Sequence, residues 1–241
     1  MQTLNTLKVK KTTTLAIWLI LLAIPLTILA GVFLLNDRRF YLISVLVLFL
    51  AMIPFGFMFE KKKPEARVLI IISVLCAIAV AGRVAFFMLP QIKPLVAIVI
   101  IAGIVFGGET GFLVGAMSGF VSNFFFGQGP WTPWQMFCLG MIGFIAGLMF
   151  KKGRLPRKTL PICLFGFLAT LIIYGGIINI GAALMWSADF NLQLLVAFYV
   201  TGFPFDLAHA VATVLFLLIL ARPMIEKLDR VKVKYGMIEM K

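Results

Sequence analysis

Apolar positions in this chain come in long runs separated by short polar breaks. The runs cover residues 12–36, 40–59, 68–89, 95–107, 111–126, 134–150, 160–185 and 193–221. The breaks carry what ends a helix: a lysine cluster at 61–67, a Pro-Gln-Ile-Lys-Pro stretch at 90–94, a glycine turn at 107–110, a Gly/Pro/Trp loop at 127–133 and a basic loop at 151–158. A helix of about 20 apolar residues crosses the roughly 30 Å hydrocarbon core of a bilayer. The runs therefore predict an all-α integral membrane protein with eight spans, of which 95–107 is short for a crossing.

Composition agrees and removes the soluble alternatives. The 241 residues are 62% hydrophobic and 13% charged, against roughly 45–50% and about 25% in soluble domains. Lipid must be the solvent for much of the surface. The first run follows Lys8, Lys10 and Lys11, as in a signal peptide, but it is a full membrane thickness long and lacks a clear cleavage site, so it reads as a retained helix. Cys76, Cys138 and Cys163 sit singly in apolar runs, which fits neither a disulfide framework nor a zinc site.

The net charge of +13 is informative once sorted by loop. With eight spans both termini lie on one side. That side collects eighteen of the 22 Lys and Arg, against Arg38, Arg39 and Lys93 on the other, with Arg83 left inside a span. Basic loops stay in the cytoplasm, so both termini are placed there. The composition changes near Lys61, where plain Leu/Ile-rich helices give way to glycine-rich spans holding polar residues. The chain divides into a hairpin of two helices (1–65), a six-helix core (66–222) and a basic tail (223–241).

Several positions carry candidate chemistry. Ala77, Ala81 and Ala85 recur every four residues, a small-residue stripe that admits another helix closely, whether within the bundle or from a partner. Gly111, Gly115 and Gly119 in one span, and Gly143 and Gly147 in the next, read as a helix crossing between sequence neighbours. Arg83 is a cation within a span, which faces a cavity or partner, or snorkels to the interface. Asp206 and His209 lie three apart on one face of the last span, after Pro204, as a ligand contact, a proton relay or a packing pair of Asp206 with His209 or with Arg83. In the loop at 123–135, Asn123 and Gln128 offer amides, and Trp131 and Trp134 offer flat faces for a pocket; the alternative is the interfacial tryptophan belt to which Trp18 and Trp186 belong. There is no phosphate loop of the form GxxxxGK[ST] and no HExxH, so neither ATP hydrolysis nor metal catalysis is expected of this chain, and no cofactor or metal site is assigned.

Taken together, Ala77-x-x-x-Ala81, Gly82-Arg83, Pro90-Gln91-Ile92-Lys93-Pro94, the run from Phe124 to Gln135 and the run from Gly202 to Ala210 resemble the S components of energy-coupling factor (ECF) vitamin transporters, most closely the cobalamin branch. The resemblance covers about residues 66–222. It implies a substrate-binding subunit, not an enzyme, that captures a vitamin at the outer face and works with a membrane T component and two cytosolic ATPases. It implies docking through Ala77, Ala81 and Ala85. It implies a pocket from Arg83, Gln91, Asn123, Gln128, Trp131, Trp134 and Asp206; His209, a candidate contact from its place beside Asp206, is not explained by the resemblance. The N-terminal hairpin departs from the six-helix family core. The alternatives are an autonomous proton-coupled carrier using Arg83, Asp206 and His209, or an S component for another vitamin or a nucleobase-like precursor.

Overall fold

A computed structural model describes residues 17–35, 40–60, 66–151, 153–186 and 192–235. The basic residues at 8–11, 38–39 and 61–63, and the end of the tail, lie outside the described residues. Among those described there are eight helical rods and no strand. Helix α1 starts as a π-type turn, Leu19–Ala23, and continues as Ile24–Leu35. Then come α2 (Phe40–Glu60), α3 (Ala66–Ala85), α4 (Leu95–Phe106) and α5 (Gly108–Phe126). Helix α6 (Trp131–Lys151) ends in a π-type turn, α7 (Thr159–Trp186) holds one at Ala169–Gly175, and α8 runs Leu192–Lys234. By length and composition α6, α7 and α8 suffice to cross a membrane; Leu19–Leu34, Leu42–Ile53, Leu69–Ala85 and Leu95–Phe106 are shorter apolar stretches.

Several boundaries differ from the sequence expectation, and α5 and α6 begin at Gly108 and Trp131, inside the turns expected at 107–110 and 127–133. Helix α3 ends at Ala85, and residues 86–94 form turns. Helix α8 continues through both Pro204 and Pro223, so residues 223–234 of the expected tail are helical. A proline removes one donor from the ladder and kinks a helix, yet packing on neighbouring helices keeps a rod this long continuous.

Helix α4 is the centre of the bundle. All twelve of its residues are buried and none carries a polar side chain, the pattern of a helix surrounded by other helices or lipid on every face. At 1.5 Å per residue it is about 18 Å long, well short of a bilayer core. Gly107, at φ +107°, turns the chain back into α5 in a single residue, a conformation that favours glycine. The hairpin is so close that a Cβ on Gly111 would lie 2.8 Å from the Gly103 Cα, and one on Gly143 would lie 2.5 Å from the Gly111 carbonyl carbon. Helices α4, α5 and α6 thus meet backbone to backbone, as the glycine spacing predicts for α5 and α6. The α1–α2 hairpin buries Ile20, Ile24, Ile28, Ile43 and Val47 and packs against α5 and α6.

The C-terminal end of α4 gathers cations. Arg157 Nη2 donates to the Ile104 carbonyl (3.1 Å), Lys232 Nζ to Val105 (2.9 Å) and Lys151 Nζ to Phe106 (2.5 Å). A helix end leaves its last carbonyls without partners and carries partial negative charge, so three side chains from three segments satisfy both needs. Asp229 joins them, 3.3 Å from Arg157 and 3.8 Å from Lys232. The 151–158 loop and the end of α8 therefore sit together at one end of the bundle.

Candidate functional site

At the opposite end, beside the start of α4, is a cavity of about 400 Å³. Arg83, Phe87, Pro90, Gln91 and Lys93 line it from α3 and the following turns; Leu95 and Val96 from α4; Phe126 from α5; Gln135 and Leu139 from α6; Tyr174 and Ile178 from α7; Asp206 and His209 from α8. Its volume lies at the lower end of the range for small-molecule sites, roughly 300–1,000 Å³.

Arg83 is held before any ligand arrives. Its Nη1 donates to Ser122 Oγ (2.5 Å) and to Asn123 Oδ1 (2.8 Å), and its guanidinium lies 4.4 Å from the Phe126 ring centroid. Its Nε and Nη2 hold no hydrogen bond among the described residues, so that edge of the fork is unspent. Asn123 is itself fixed: its Nδ2 donates to Thr132 Oγ1 (3.1 Å) and Gln135 Oε1 (2.8 Å). Thr132 donates to Gln128 Oε1 (2.9 Å), and Gln128 Nε2 donates to the Phe120 carbonyl (2.9 Å). The 127–130 loop is thereby tied to α5, and the tie ends on Arg83.

The turns after α3 are closed by Lys93. Its ammonium donates to the carbonyls of Phe86, Phe87 and Leu89, which fold the segment over the cavity mouth. Partial burial and the neighbouring Arg83 hold the Lys93 ammonium below its ordinary pKa. Gln91 has φ +59°, and Ile92 N–H donates back to the Pro90 carbonyl (2.8 Å). A non-glycine residue in this region costs on the order of 1–3 kcal/mol and is typical of ligand clamps.

On the far wall, Asp206 Oδ2 accepts a 2.7 Å hydrogen bond from Asn179 Nδ2, which also donates to the Gly175 carbonyl (2.8 Å). His209 stacks edge-on against Tyr174, with centroids 4.9 Å apart at 88°. Asp206 is therefore paired with Asn179, not with the His209 or Arg83 weighed from sequence. The π-type segment of α7 ends at this point, and such segments often mark functional sites.

Of the residues expected to contact a ligand, Arg83, Gln91, Asp206 and His209 meet in the cavity. Asn123 stands behind Arg83, and Gln128 stands one bond further back. Trp131 lies over Gly129 and is 41% exposed, while Trp134 is buried against Gly181; neither lines the cavity. Both side chains sit on the first turn of α6, whose inward face there is Gln135. Sequence reasoning missed Phe87, Lys93, Phe126, Gln135, Tyr174 and Asn179 as site residues. Tyr174 and Asn179 carried a usable signal, since polar groups inside the apolar 160–185 run need partners. Ala77, Ala81 and Ala85 are exposed on α3, on a face shared with Ile70, Val74 and Ile78.

Residues 64–227 match the sequence family described as ECF-type riboflavin transporter, S component. A UPF0397 protein of Vibrio atlanticus is 29% identical over 126 residues, which are 49% of this chain and 69% of that protein. UPF0397 proteins of two Aliivibrio fischeri strains are 26% identical over 126 residues, covering 49% of this chain and 68% of theirs. No solved structure matches the chain.

Proposed function

The chain belongs to the S-component family of ECF-type riboflavin transporters, and from that premise we propose that its cavity captures a flavin-sized, flat, polar vitamin, riboflavin first, for import. S components are membrane-embedded, non-enzymatic binding subunits. The observation that carries the ligand reading is the cavity itself. It offers aromatic faces at Phe87 and Phe126, amides at Gln91 and Gln135, a guanidinium edge at Arg83 and a carboxylate at Asp206. That mixture suits a planar heteroaromatic ring with carbonyl and N–H groups and a hydroxylated side chain.

Cobalamin, the expectation from sequence, has no support in the family description, and about 400 Å³ suits a ligand several times smaller than a corrin with its nucleotide arm. The autonomous proton-coupled carrier has little geometric support, because Asp206 is bonded to Asn179 and His209 is stacked on Tyr174. The remaining elements of the reading are eight spans with cytoplasmic termini, a T component with two ATPases as partners, and docking through the small-residue face of α3. That face is exposed and apolar, as a surface that meets a second membrane protein must be.

The test is uptake of labelled riboflavin into vesicles holding this chain, a T component and two ATPases. ATP-dependent accumulation is expected, and Ala81→Trp abolishes it while leaving binding intact, because the indole blocks close helix approach. Absence of ATP-dependent uptake for riboflavin refutes the reading.

A further inference from the structure

Among the described residues, Asp206 and Asn179 form the one hydrogen-bonded carboxylate–amide pair at the cavity, and two glycines make room for it. A Cβ on Gly175 would lie 2.7 Å from the Asp206 carboxyl carbon, and one on Gly202 would lie 2.5 Å from Asn179 Oδ1. Two glycines on facing helices thus let α7 and α8 approach until amide and carboxylate meet. Asn179 is buried and does not line the cavity. Its Nδ2 spends one bond on its own helix and one on Asp206 Oδ2. The carboxylate is thereby pinned by one oxygen, and Oδ1 holds no hydrogen bond among the described residues.

Resting on the flavin reading above, we propose that Asp206 is the specificity determinant that requires an imide-type ring N–H on the ligand, and that Asn179 is its positioning residue. Leu139 and Ile178 supply apolar stretches of the same cavity wall. A donor set in a flat ring satisfies the open oxygen and can lie along such walls. The carbonyl oxygens flanking such an N–H are acceptors, and the unspent edge of Arg83 supplies donors for one of them. A site built around a hydrogen bond rejects an analogue lacking the donor far more strongly than an apolar pocket rejects an added methyl.

The test titrates the purified full chain with riboflavin and with 3-methylriboflavin, in which the imide N–H is replaced by N–CH3. Wild type is expected to favour riboflavin by at least about tenfold. Asn179→Leu and Asp206→Ala weaken riboflavin binding and close the gap to the 3-methyl ligand, whose affinity does not fall. A purely structural role for Asn179 would weaken both ligands alike, and that result overturns its assignment. Equal wild-type affinity for the two ligands overturns the whole inference while sparing the flavin reading. Binding of neither ligand defeats the flavin reading, and the inference with it. Should the variants fail to fold, the wild-type ratio alone decides.

Discussion

Asn123 shows how much of the site rests on one buried amide. Its oxygen holds Arg83 and its nitrogen holds Thr132 and Gln135. Asn123→Leu keeps the volume but removes one hydrogen bond from each of Arg83, Thr132 and Gln135, and leaving a buried group without its bond costs about 1–3 kcal/mol. The variant is expected to melt lower in a thermal scan and to bind ligand at least about fivefold more weakly, since 1 kcal/mol is about that factor. An unchanged melting point and affinity would remove Asn123 from the positioning role. Charged residues at this scale were legible in sequence: Arg83 and Asp206 stand out because a charge in an apolar run demands a reason. Gln135 was not, since an amide near a helix start is common. Trp131 and Trp134 looked like pocket walls because sequence cannot tell which face of a first helical turn points inward.

Among the elements, α4 has the least freedom. It is short, apolar all round and closed at its end by Lys151, Arg157 and Lys232. Lys232→Met removes a charge-assisted bond to the Val105 carbonyl and is expected to cost about 1–2 kcal/mol, read as a lower midpoint of thermal unfolding in detergent. Lys234→Met, on the exposed side of the same helix end, is the control and should change little. Equal effects would mean that total charge, not the cap, matters. The run lengths made all eight helices legible. The end of α3 at Ala85 was overshot because the 86–89 residues are as apolar as the helix before them; Lys93, which collects their carbonyls, lies in the next polar break. The tail was read as separate from α8 because Pro223 suggests a stop, and tertiary contacts of Asp229 and Lys232 override it.

At the scale of the whole molecule, the cavity and the basic cluster occupy opposite ends of the bundle. Sequence gave the basic surplus a topological meaning only; three of those cations also close the central helix. The two-ended arrangement predicts that a cysteine introduced at Arg154 is labelled by a membrane-impermeant thiol reagent only after cells are opened, whereas one at Met88, 85% exposed beside the cavity, is labelled from outside. The reverse pattern would invert the proposed orientation. The exposed Ala77, Ala81 and Ala85 face leaves α3 open to a partner, with the N-terminal hairpin seated on α5 and α6.

The central claim is that this chain alone captures a flavin-sized ligand in the Arg83–Asp206 cavity. Fluorescence titration of the purified protein with riboflavin, run beside cobalamin, tests it most directly. Saturable quenching at one ligand per chain, weakened at least about tenfold by Arg83→Met and absent with cobalamin, is the predicted result. Saturable binding of cobalamin with none of riboflavin, or riboflavin binding indifferent to Arg83→Met, would contradict it.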